Sequence, residues 1–302
     1  MKPIRSATAA ALMVWGAAAL AQAHTPYLLP NAFDAERQRV TLQGAQTEDD
    51  YFNPDIALNA AAYVETLPSG QQTQLAPSAT LKDMVLIEAP LAEPGTYRFS
   101  TGALVTRKTT LVNVGGKWLF VRQPRPGRPP GEGPAPARRP QPPGGGEGGG
   151  EAEGPPSGSV AAGDVPANAP TIQTESVMTV ETYVSKGAPT DTALKTTGSG
   201  FELKPATHPN AVYVDQGFAF QLLVDGQPVA GAPISVYRSG NIYDDRRIAV
   251  ELRTDAQGNA KIPFAQPGVY LMTTHYPASP TPPGDKPPPR NYIYSLTFEV
   301  TR

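Results

Sequence analysis

Gln266-Pro267-Gly268-Val269-Tyr270-Leu271-Met272-Thr273-Thr274-His275 decides the fold. Pro-Gly sets a turn, and the residues behind it alternate as a half-buried strand does, with Val269, Leu271, Thr273 and His275 on one face. The same device stands earlier in the chain, where Glu93-Pro94-Gly95-Thr96-Tyr97-Arg98-Phe99-Ser100 again places Tyr second in a strand fed by Pro-Gly. Such turns recur at the edges and corners of β-sandwiches, and the echo raises the question of a duplicated unit.

Working outward from the later copy, Ile172–Ser185, Phe218–Val224, Pro233–Arg238, Ile248–Thr254, Asn259–Phe264 and Tyr292–Thr301 read as further strands. Asp225-Gly226 and Asp255-Ala256-Gln257-Gly258 supply tight turns between them. Short strands at near-regular spacing over residues 171–302 predict an immunoglobulin-like β-sandwich. Around the earlier copy, Gln38–Gln43, Ile56–Thr66, Met84–Glu88, Thr96–Ser100, Lys108–Val114 and Lys117–Arg122 predict a second β domain over residues 24–122. Val114-Gly115-Gly116-Lys117 marks a hairpin, and the one hint of helical period, Asp55–Tyr63, is weak. The expected class is therefore all-β, with two β-sandwich domains.

The two are separated by residues 123–170, where Gln123–Gly158 alone holds 11 Pro and 11 Gly. That composition cannot bury enough apolar surface to offset the entropy of ordering, so it predicts a disordered linker, basic at its start and acidic toward its end. A ligand for a Pro-binding module is the functional alternative to a spacer. The first 23 residues have the form of an export signal: Lys2 and Arg5, an apolar run Ala9–Leu20, and Ala21-Gln22-Ala23 as cleavage site. Cleavage there makes His24 the first residue and implies a periplasmic protein.

Composition excludes several chemistries. None of the 302 residues is Cys, which removes disulfides, thiolate metal sites and Cys nucleophiles. The net charge of −2 comes with no basic stripe interleaved with aromatics, which argues against nucleic acid, and no second apolar run is present to span a membrane after cleavage. No G-x-S-x-G, H-E-x-x-H, Walker or G-x-G-x-x-G pattern occurs; Thr197-Gly198-Ser199-Gly200 is a short polar loop. These absences predict a protein that is not an enzyme. Asp49-Asp50 and Asp244-Asp245 lack the alternation of a Ca²⁺ loop and read as solvated charges. Trp118, Phe120 and the tyrosines read as sheet packing, with a sugar-binding surface as the alternative.

Three histidines remain: His24, His208 and His275. A first-residue His offers its α-amine and its ring Nδ1 to one metal, and a second imidazole completes a T-shaped set suited to Cu(II), Ni(II), Co(II) or Zn(II). Pro26 has no N–H, so a planar site built on consecutive amides could extend no further than Thr25. His275 ends its strand and His208 precedes Pro209 in an extended loop; each by itself reads equally as a structural or surface His.

Ala23-His24-Thr25-Pro26-Tyr27-Leu28-Leu29-Pro30 resembles the mature start of the DUF4198 family, with Tyr27 where another aromatic is usual. Phe220–Ala232, Thr254–Gly258, Pro267–His275 and Tyr294–Val300 resemble further segments of it, and the Pro/Gly insertion departs from its pattern. The resemblance implies an exported protein with a β-sandwich second domain, of a type described as like the periplasmic part of nickel or cobalt uptake systems. It carries to His24 and His275, while His208 lies in a less typical segment. Taken together, the expectation is a non-enzymatic periplasmic protein holding Ni, Co or Cu through His24, His275 and His208 for an envelope metal transporter. The alternative is a β-sandwich module that binds an envelope protein or glycan.

Overall fold

The computed structural model describes residues 24–48, 52–122, 159–240, 243, 248–277 and 285–302. Residues 1–23, expected to be an export signal, Asp49-Asp50, Asp244-Asp245 and residues 123–158 of the expected linker lie outside the described residues. Among the described residues there is no α-helix, only two 3₁₀ turns at Ala162–Asp164 and Thr192–Leu194, and the protein is all-β. The weak helical period at Asp55–Tyr63 is instead two short strands and a turn.

The first half holds β1 (Thr25–Pro30), β2 (Arg39–Thr47), β3 (Ile56–Ala57), β4 (Tyr63–Thr66), β5 (Gln72–Leu75), β6 (Ala79–Thr80), β7 (Val85–Pro90), β8 (Gly95–Ser100), β9 (Leu104–Val114) and β10 (Lys117–Arg122). The second holds β11 (Ser159–Ala161), β12 (Thr171–Lys186), β13 (Phe201–Pro205), β14 (Val212–Tyr213), β15 (Phe218–Val224), β16 (Gln227–Pro228), β17 (Pro233–Arg238), β18 (Val250–Arg253), β19 (Asn259–Ile262), β20 (Gly268–Tyr276) and β21 (Arg290–Thr301). The hairpin at Gly115-Gly116 has φ of +60° and +81°, the left-handed pair that a two-residue turn requires and that Gly adopts without a Cβ clash.

These strands form three sheets: β1-β2-β7-β6 with β3 on β2, a small sheet of β13, β15, β16 and β19, and a large one running β11-β10-β9-β12-β21-β20-β17-β18. The large sheet also takes β8, β4 and β5 through β12, so it contains strands from both halves of the chain. Its centre, Val177–Ser185 of β12, is buried without interruption. Alternation explains this: Met178, Val180 and Val184 enter a core with Leu28, Leu42, Ile87 and Tyr97, whereas Val177 and Tyr183 enter another with Phe218, Phe298 and Leu296. A strand with a core on each side needs apolar or satisfied residues at every position.

Glu181 is the charged residue in that run. It is fully buried and accepts from Arg98 Nε at 3.0 Å, Ser100 Oγ at 3.1 Å and Tyr294 Oη at 2.8 Å, with the Arg98 Nη2 contact closing the ion pair. Burial alone would lower the Arg98 guanidinium, yet facing Glu181 holds it above its ordinary value. The Tyr294 hydroxyl is pushed up by burial and by the same carboxylate.

Residues 159–170, expected as the end of the linker, carry a strand and a 3₁₀ turn. β11 pairs parallel with β10, placing Phe120 opposite Ser159 and Arg122 opposite Ala161. Both ends of the Pro/Gly segment are thus fastened side by side at one sheet edge.

Candidate functional site

β1 pairs antiparallel with β2, with Thr25 opposite Thr47, so the ladder brings His24 and Glu48 to the same end. β3 pairs on the other edge of β2, Ile56 opposite Gln46, and Asp55 N donates to Gln46 O at 3.0 Å. One strand, β2, therefore delivers both carboxylates to the His24 ring. Its Nε2 lies 2.9 Å from Asp55 Oδ2 and 3.2 Å from Glu48 Oε1. Phe52, three residues before Asp55, sets its ring edge-on to Tyr27 with centroids 5.2 Å apart. An ionised carboxylate only accepts, so Nε2 is the nitrogen that donates to it, and a ring carrying one proton has its lone pair on Nδ1. This is the arrangement in which metal-ligating histidines are oriented by a carboxylate on the other ring nitrogen.

Beside this corner opens a hollow of about 460 Å³, lined by His24, Gln46, Asn59 and Thr106 and by Ile56, Leu58, Leu104, Met178 and Ile293. The register of the large sheet builds its floor. Leu104 is opposite Met178, Met178 opposite Ile293, and Ile293 opposite His275, a single row across four adjacent strands on one face. His275, exposed at the end of that row, leaves the sheet on the side of the His24 hollow. It is not in the group within 4.8 Å, which among the described residues is His24, Glu48 and Asp55.

His208 lies elsewhere and is occupied. Its Nδ1 accepts from Asn210 N at 3.0 Å, and Nε2 lies 3.1 Å from Thr96 Oγ1 and 3.3 Å from Thr190 O. Thr96 Oγ1 is in turn 2.9 Å from Ser185 Oγ, and the Asn210 amide donates to Phe33 O at 3.2 Å and Tyr183 O at 2.9 Å. Burial holds the His208 ring below its ordinary value, against the opposing pull of the Thr190 carbonyl. With both nitrogens engaged, this histidine stitches β8, β12 and the loops around them.

The structure thus puts His24 in the lining of the hollow, His275 outside that lining but opposite Ile293 of its floor, and His208 in a separate polar knot. Glu48 and Asp55 were not among the sequence candidates. Their signal was faint: an acidic run directly after the strand that pairs with the N-terminal one, where the mate of His24 must fall.

A family model described as a domain of unknown function (DUF4198) matches residues 21–278. The chain belongs to the DUF4198 family. The matched span contains the three histidines, Glu48 and Asp55, and stops before the DUF4198-like segment Tyr294–Val300. No curated protein matches the chain. Among solved structures it is similar to the BSP domain of a biofilm-associated protein, at 11% identity and TM-score 0.19 over 92% of this chain and 29% of that one. It is also similar to the D0-D1 domain of Intimin, at 11% identity and TM-score 0.20 over 90% of this chain and 96% of that one. The chain spans well under two thirds of the first of these structures.

Proposed function

We propose that this DUF4198 protein is exported, cleaved after Ala23, and binds a transition metal ion, Ni, Co or Cu, without catalysing a reaction. In this reading the His24 α-amine and Nδ1 form the chelate, Asp55 and Glu48 hold the opposite ring edge, and His275 is the candidate third nitrogen. His208 is left out, because both its nitrogens are already bonded. The observation that supports the reading most is the pair of carboxylates on Nε2, which fixes the ring and directs its other nitrogen, Nδ1, to be the one that binds. Supply to an envelope transporter, or storage, is the role that fits such a site. The folded part is read as two sandwiches that share β12, the second immunoglobulin-like.

An amine and an imidazole must both be unprotonated to coordinate, so affinity falls as pH falls. Titration of the chain beginning at His24 with Ni(II) or Cu(II), alone and after His24→Ala, tests the site: tight binding lost in the variant supports it, and equal binding contradicts it. The competing reading, a module that binds an envelope protein or glycan, would draw on exposed aromatics. Of those described, Phe120 is on β10, Tyr213 on β14 and Tyr243 on neither strand.

A further inference from the structure

The chelate proposed above uses few positions of the ion. The His24 amine and ring supply two donors and His275 at most a third, whereas Cu(II) and Ni(II) take four to six. Bulk water would complete the shell if the ion faced open solvent. An ion on His24 would instead border the hollow of about 460 Å³ that this residue lines, a volume in the size range of small-molecule sites. Its floor is the apolar row Leu104, Met178 and Ile293, spanning three strands and so about 10 Å across. Ile56 and Leu58 form a wall, and the ionisable group in the lining is His24 itself. Ile56 is 42% exposed, a large aliphatic surface left in water at the lip. A bare-ion store has no use for such walls.

We infer that the hollow receives an organic ligand carried on the metal: a small bidentate nitrogen or oxygen chelator with a flat, apolar body. Its donors occupy the open positions at His24, and its body lies on Leu104, Met178 and Ile293. Gln46, Asn59 and Thr106 at the rim accept its polar edge. The cargo is then a metal chelate rather than an aquo ion. This rests on the metal reading, and the experiment separates the two.

The test uses the chain beginning at His24 and three probes: aquo Ni(II), the 1:1 Ni(II)–ethylenediamine complex and the 1:1 Ni(II)–2,2′-bipyridine complex. Both chelators fill two positions with nitrogen, and they differ in apolar area. Calorimetry should show the bipyridine complex binding about tenfold more tightly than the ethylenediamine complex. Leu104→Ser and, independently, Ile293→Thr should each cut that preference to about threefold or less and leave aquo Ni(II) affinity unchanged. Tight aquo-ion binding with no preference between the complexes, or a preference that survives both substitutions, overturns the inference and leaves the metal reading standing. Failure of all three probes to bind overturns both.

Discussion

His24 and His208 each sit among oxygen partners, yet their surroundings differ in kind. Around His208 every polar group is answered from within: Asn210 N on Nδ1, Thr96 and Thr190 on Nε2, Ser185 on Thr96. Around His24 the carboxylates of Asp55 and Glu48 crowd one ring nitrogen, and the residue itself lines a hollow. A histidine satisfied on both sides rigidifies a joint; one held from a single side is poised to bind. Residue type does not separate these roles, whereas the bonding of the second nitrogen does.

The contrast can be broken by substitution, starting where the structure depends most on internal satisfaction. Glu181→Ala strands Arg98 in the core and should cost about 3–5 kcal/mol of unfolding free energy, as measured by denaturant melts, with metal affinity unchanged below the transition. Asp55→Ala should do the converse. It removes the group that orients His24 and should weaken Ni(II) binding about 10–100-fold, or roughly 1.4–2.7 kcal/mol, while thermal stability stays within about 0.5 kcal/mol. If Asp55→Ala instead unfolds the protein and spares the metal, the two corners have been assigned the wrong way round.

His208→Ala takes the acceptor from Asn210 N–H and one of several partners from Thr96 Oγ1, and should cost about 1–2 kcal/mol, with Ni(II) affinity unaltered. Burial holds this ring below its ordinary value of 6.5, so the unfolded chain takes up the proton first. Its contribution is complete above pH 6.5 and is lost as pH falls through the lowered native value. Acid melts of the wild type and of His208→Ala should therefore converge as pH drops below about 6.5. Last and smallest, replacing residues 123–158 by about 12 Gly and Ser should raise stability by about 1 kcal/mol through shorter loop closure, because β10 and β11 already hold its ends. Both histidine corners should remain as they are.

Much of the sheet was legible because alternation and turn chemistry are local. Lys117–Arg122, Phe218–Val224 and Pro233–Arg238 fall where the sequence predicts them, and Val269–His275 lengthens by one residue at each end. β1 escaped because Pro26 and Pro30 argue against a strand; it is tolerated by pairing on one side, with β2. Ile172–Ser185 was readable as a strand, but not as a wall common to two cores. Thr179 and Glu181 alternate with Met178 and Val180 as though one face met solvent, and the Arg98 that neutralises Glu181 stands 83 residues away. His24 and His275 were legible as candidates through residue type and position. Glu48 and Asp55 reach His24 only through the register of β1, β2 and β3, which is a property of the folded ladder.

The central claim is that the nitrogen of a processed His24 joins its ring as a ligand. The most direct measurement compares Ni(II) or Cu(II) affinity of the chain starting at His24 with that of a chain carrying one added residue before it. The added residue turns the amine into a peptide nitrogen while leaving Asp55, Glu48 and the hollow in place. A loss on the order of 100-fold is the result this account predicts; equal affinity in the two chains would contradict it.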